Sequence, residues 1–122
     1  MSNIYKDLPG QSEAQLQQKI VFWYWNEYPL LRGTLCYNNN NSIGGQRGRS
    51  NSSLGTIKGR SDLSLYLNKK ALMIELKTER GYQSKAQKDW QELLELQGFE
   101  YIIIRSLDSF KKLIRARISE ME

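Results

Sequence analysis

The sequence holds no histidine, one cysteine and two prolines in 122 residues, and each shortage excludes something. Without histidine there is no Ser-His-Asp or Cys-His nucleophile system and no imidazole general base. One cysteine and no histidine cannot build the tetrahedral nitrogen and sulfur shell of a zinc site. Cys36 alone cannot close an internal disulfide, which fits a reducing compartment. No apolar run is long enough to cross a bilayer, and Met1 to Gly10 lacks the basic-then-apolar pattern of a secretory leader. The expectation is a cytoplasmic chain with no membrane segment.

What is present bounds the rest. An apolar fraction of 39% and a charged fraction of 25% are ordinary for a globular protein. At this length residues 1–122 are expected to form a single domain around one core. The net charge of +5 and a sequence pI near 9.4 favour a polyanionic partner, because Lys and Arg release counterions from nucleic-acid phosphates. Between Asn38 and Ser61 the chain carries Arg47, Arg49, Lys58 and Arg60 and no acidic residue.

Ser12 to Glu27 predicts a helix: Ser12 with Gln15 is a capping-box pair, and Leu16, Ile20, Trp23 and Tyr24 recur at helical spacing. Pro29 ends it, and Gly33 to Tyr37 predicts a short strand. Asn38 to Gly59, rich in Asn, Gly, Ser and Arg, predicts a long loop with one weak helix around Gln46 to Leu54. Asp62 to Leu67 and Ala71 to Lys77 predict two strands joined by a tight turn at Asn68 to Lys70. Ser84 to Gln97 predicts a second helix, with Ala86, Trp90, Leu93, Leu94 and Gln97 as its stripe and Gly98 as its stop. The continuous apolar run Tyr101 to Ile104 predicts a strand buried on both faces. Asp108 to Met121 predicts a final helix with Phe110, Leu113, Ile114 and Ile118 inward. The order is α-β-(α)-β-β-α-β-α, an α/β chain in which Ala71 to Arg105 predicts a right-handed crossover.

With histidine and zinc excluded, chemistry falls to Asp, Glu, Lys, Tyr or Ser, acting through a hard, oxygen-ligated cation such as magnesium or manganese. The run Ile74-Glu75-Leu76-Lys77 puts Glu75 and Lys77 on one face of a strand. Two readings stand for a bare Glu-x-Lys: a solvated polar face, or a site. Asp62 favours the site, since the hairpin would bring it toward Glu75, and two carboxylates that close repel unless a cation lies between them. Asp62 and Glu75 would hold magnesium and Lys77 would orient a water or stabilise charge on a phosphorane, a chemistry suited to phosphate esters.

These residues resemble the PD-(D/E)XK nuclease signature, and more of the chain resembles its virus-type replication-repair (VRR-NUC) branch. The matching pieces are Glu13 with Leu16-Gln17, Gly59-Arg60-Ser61-Asp62-Leu63, Ile74-Glu75-Leu76-Lys77-Thr78, Ser84-x-x-Gln87-x-x-Trp90, and Gly98. They run from Glu13 to about Phe110. The resemblance implies a restriction-endonuclease-like core, a mixed sheet flanked by helices. It implies Asp62, Glu75, Glu13 and the main-chain carbonyl of Leu76 as metal ligands, Lys77 as the catalytic lysine, and Gln87 as a supporting residue. Ser61 departs from it, standing where the family usually has proline. Glu13 also has a plain account as a first-turn acid favouring the helix dipole, and Gln87 another as the partner of Ser84 in a capping box.

By the same resemblance the chain is a structure-selective endonuclease of branched DNA, including four-way (Holliday) junctions. It would act as a homodimer in a bacterial cell, phage-encoded or not, in the manner of domains that also occur fused to repair enzymes. Arg47, Arg49, Lys58 and Arg60, then Lys85 and Lys88, are the candidates for phosphate contacts, with a solvated loop as the alternative account of the first four. Trp25 and Tyr28 are the candidates for a dimer interface. A non-catalytic nucleic-acid-binding module and a sequence-specific restriction or anti-phage nuclease are the rival functions.

Overall fold

The computed structural model describes residues 11–38, 54–55 and 57–122. Arg47, Arg49 and all but the end of the helix expected around Gln46 to Leu54 lie outside them.

Helix α1 (Glu13–Glu27) opens on the expected capping box: the Ser12 hydroxyl accepts from the Gln15 amide and the Gln15 side chain accepts from the Ser12 amide. It buries Leu16, Ile20 and Tyr24, four residues apart on one stripe. Pro29 ends the α-helix and begins a short 3-10 turn, Pro29–Thr34, that leads into strand β1 (Leu35–Tyr37). The strand therefore starts two residues later than expected. Tyr28 is half-buried, its ring packed against Trp23 and Tyr24, whose rings meet Phe110.

Strands β2 (Leu63–Leu67) and β3 (Lys70–Leu76) form the hairpin. Asn68 and Lys69 turn it with φ of 52° and 63°. Two consecutive left-handed residues make the tight two-residue turn whose twist matches the flanking strands. Leu63 pairs with Ile74 and Leu65 with Leu72, so the leucines of both strands share one face. β4 (Glu100–Ile104) returns parallel to β3, and the sheet order is β1-β2-β3-β4. Ile102 and Ile103 are only half-buried because β4 lies at the edge of the described sheet. The apolar run was expected to be covered on both faces.

The leucine face is covered by α1 and by helix α3 (Leu107–Glu120), which buries Leu107, Phe110 and Ile114. The opposite face is met by helix α2 (Lys85–Leu96), where Trp90 stacks edge-on to Tyr101 of β4. Ser84 and Gln87 form its capping box. Gly98, at φ +90°, ends it: its amide bonds the Glu95 carbonyl and the Phe99 amide bonds that of Leu94, the paired bonds of a Schellman stop. The inward stripe is narrower than expected. Leu93 and Gln97 are exposed, leaving Ala86, Trp90 and Leu94 partly covered. A helix lying over a sheet edge has less apolar surface to meet than one crossing the middle.

Candidate active site

Leu72, Ile74 and Leu76 belong to the core under α1, so alternation sends Met73, Glu75 and Lys77 to the other face. Continuing the hairpin register by one pair sets Asp62 across from Glu75. The solvated-face reading of this strand ends here, because Glu75 is fully buried and Lys77 nearly so.

Asp62 is held from two directions. One carboxylate oxygen accepts the Leu76 amide at 2.7 Å, and its carbonyl accepts the Asn38 amide at 2.8 Å. The Asn38 side chain donates to the Ser61 carbonyl at 3.2 Å and to the Ser64 hydroxyl at 2.8 Å. Ser61, in the place of the family's proline, is buried and donates to the Leu63 carbonyl at 3.2 Å. Hydrogen bonds thus shape the strand entry that a proline ring would fix by restricting φ. Burial pushes the Asp62 carboxyl above the usual carboxylate range, the Leu76 hydrogen bond opposes this, and negative charge on Glu13 and Glu75 adds to the rise.

Glu75 is more constrained. Its Oε1 accepts from the Tyr101 hydroxyl and from Gln83 Nε2 at 3.1 Å, and the same Gln83 nitrogen reaches Gln91 Oε1 at 2.7 Å. Burial, with the Glu75 hydrogen bond and charge, pushes the Tyr101 phenol well up, so the phenol keeps its proton and donates. Oε2 of Glu75 is buried with no hydrogen-bond partner; Lys77 Nζ lies 3.9 Å from it and 3.9 Å from Glu13 Oε1. A buried carboxylate oxygen left without a donor costs on the order of 1–3 kcal/mol.

Glu13, Gly59, Asp62, Lys77, Tyr82, Ser84 and Gln87 line one open cleft. The expected residues Glu13, Asp62, Lys77 and Gln87 therefore share the cleft, with the oxygen of Gln87 engaged by the Ser84 amide at 2.8 Å, and Glu75 lies buried behind them with its Oε2 3.9 Å from the Lys77 ammonium. Lys58 and Arg60 are exposed on either side of Gly59. Lys85 and Lys88 are exposed on the first turns of α2, Lys85 paired with Asp89 at 2.8 Å. Gln83 and Tyr101 escaped the sequence reading. A tyrosine heading an otherwise aliphatic strand was the available signal, since a buried hydroxyl needs a partner.

Among the described residues no three carboxylate or thiol groups converge closely enough to enclose a metal ion alone. The donors still fit a hard cation. Glu75 Oε2 is buried without a donor, and Asp62 keeps one oxygen free of the Leu76 bond. Burial, and after it the crowding of like charge from Glu13 and Glu75, opposes the Asp62 charge, and a cation relieves both. Magnesium commonly takes one or two carboxylates and fills its octahedron with water and phosphate oxygens.

A mixed four-stranded sheet between helices, with acids and a lysine at the end of its hairpin, is a restriction-endonuclease-like architecture. A solved structure described as a VRR_NUC domain protein superposes with a TM-score of 0.74 over 92% of this chain and 92% of that one, at 20% sequence identity. The chain thus has the fold of the domain its motifs resemble. No family model matches the sequence, and no curated protein does.

Proposed function

We propose that this chain is a metal-dependent DNA endonuclease that hydrolyses phosphodiesters in branched DNA, four-way junctions included. The observation that carries this is Glu75: a fully buried carboxylate with one oxygen bound by Tyr101 and Gln83 and the other left open toward Lys77, beside Asp62. A buried carboxylate oxygen left without a donor is a cost to folding, which a bound cation would offset.

Asp62 and Glu75 would hold magnesium or manganese, with the Leu76 carbonyl as a further ligand and Glu13 at the rim. The bound cation supplies neutralisation of the scissile phosphate and acidification of a water. Lys77, its ammonium poised between Glu13 and Glu75, orients the attacking water and stabilises charge gathering on the phosphate oxygens. Lys58, Arg60, Lys85 and Lys88, all exposed, would contact backbone phosphates, contacts that position a strand without reading its sequence. Cutting both strands of a symmetric junction takes two copies related by a two-fold axis, so the working form is a homodimer.

Tyr101→Phe removes the hydroxyl from Glu75 Oε1 and leaves the ring on Trp90. Losing such a support costs about 10–100-fold in metal affinity, read as the magnesium concentration for half-maximal cleavage. An unchanged magnesium curve would separate Tyr101 from the chemistry.

The test of the function itself is direct. Purified protein is incubated with labelled four-way, flap, single-stranded and plain duplex DNA, with magnesium or with a chelator. Magnesium-dependent cuts in the branched substrates are expected. Cuts at fixed positions in plain duplex would indicate a sequence-reading nuclease instead, and binding with no cutting in any metal would end the catalytic reading.

A further inference from the structure

Tyr82 has no part in the chemistry above, yet it lines the same cleft as Asp62 and Lys77 while 87% exposed. Its neighbours on both sides are fixed. Before it, one guanidinium nitrogen of Arg105 donates to the carbonyls of Thr78 at 2.8 Å and Gly81 at 2.9 Å, and the Gly81 amide closes the turn on Thr78 at 3.1 Å. A Cβ on Gly81 would lie 3.2 Å from Thr78 Oγ1 and 3.4 Å from the Lys77 stem, so the turn is seated on the catalytic lysine. After it, Gln83 is tied to Glu75 and Gln91, and Ser84 caps α2. An aromatic ring is thus held out into solvent from an anchored backbone, at the rim of a polar cleft.

We propose that Tyr82 is a stacking platform for the base next to the scissile phosphate, an inference that rests on the nuclease reading for what lies in the cleft. Every base offers a π face, so a ring in this place binds without reading sequence. A base inside a duplex has both faces covered by its neighbours, and exposing one costs unstacking energy. Only a nucleotide already unpaired, at a branch point, flap or strand end, presents a face freely. Tyr82 therefore biases the cleft toward strands with an unpaired nucleotide beside the cut. It is a binding residue and leaves the bond-breaking step to Asp62, Glu75 and Lys77.

The experiment uses the full chain and flap DNA carrying 2-aminopurine, a base whose fluorescence falls on stacking, at the first unpaired position. Calcium replaces magnesium for binding without cutting. Wild type and Tyr82→Phe are expected to quench the probe and Tyr82→Ala to fail. Tyr82→Ala should also raise KM on the flap about ten-fold with kcat unchanged, and its unfolding midpoint should match wild type because the ring is exposed. If wild type cuts the flap while Tyr82→Ala keeps both KM and quenching, the stacking assignment is overturned. If wild type quenches the probe, Tyr82→Ala does not, and nothing is cut in any metal, the nuclease reading fails and the base-binding role of Tyr82 stands.

Discussion

Asp62→Asn is expected to stabilise the metal-free protein and to abolish cleavage. The amide oxygen of asparagine can still accept the Leu76 amide, so the bond at 2.7 Å survives. What disappears is a charge that burial and the negative charges of Glu13 and Glu75 oppose. Removing a charge that a site keeps for function commonly stabilises the fold at the cost of activity. The pH dependence follows in sign. The folded pKa of Asp62 lies above the usual value of 3.8, so between the two the folded state binds more protons than the unfolded one. Its contribution to metal-free stability therefore declines as pH rises from about 3.8 through the folded pKa, and is most unfavourable above it. Thermal unfolding of wild type should show this decline, Asp62→Asn should lack that component, and magnesium should raise the wild-type midpoint alone. Glu75→Ala behaves differently: it too should end cleavage, but it strands the Tyr101 hydroxyl and leaves Gln83 only Gln91 and Lys77 only Glu13 as partners, so it should lose stability. An Asp62→Asn protein that still cuts, or one less stable than wild type without metal, would remove the mechanism.

Gly59→Ala is expected to damage fold and cleft together. Gly59 sits at φ +85°, and a Cβ there would fall 2.4 Å from the carbonyl carbon and oxygen of Ala86, inside the first turn of α2. The left-handed backbone costs about 1–2 kcal/mol for a residue with a Cβ, and the overpacking about 1–3 kcal/mol more. The entropy lost from the unfolded chain returns only about 0.4–1 kcal/mol. A net loss of about 1–5 kcal/mol, with its middle near 3, corresponds to a midpoint lower by roughly 10 °C in a chain of this size. Because that turn carries Ser84 and Gln87 into the cleft, cleavage should fall as well. A midpoint within about 2 °C of wild type would mean that Gly59 is not seated against α2.

The local signals in the sequence were sufficient for the elements they govern. Ser12-x-x-Gln15 and Ser84-x-x-Gln87 mark both capping boxes, Gly98 marks the Schellman stop, and the hairpin register, continued one pair past Leu63 and Ile74, sets Asp62 across from Glu75. The motif residues around Asp62, Glu75 and Lys77 meet in one place for the same reason: two strands joined by a two-residue turn leave little freedom. What could not be read was everything set by α2 arriving over the sheet. Alternation in β3 looks the same whether the polar face meets water or a helix, so the burial of Glu75 and Lys77 was not legible, nor were Gln83 and Tyr101 as the donors to Glu75. The same cause misled the other way in α2 and β4. Leu93 has the spacing of a core residue and is exposed, and Ile102 and Ile103 of β4 are partly uncovered, because sequence periodicity carries no information on where a sheet ends.

The two-residue turn at Asn68 and Lys69 makes the chain's tolerance of length change lopsided. Side chains alternate across a strand, so one residue inserted between Leu67 and Lys70 and absorbed as a shift of pairing would carry Glu75 from the face of Asp62 into the leucine layer. A length change that moves the register is therefore the costly kind in this hairpin, while one held within the turn leaves Asp62 across from Glu75.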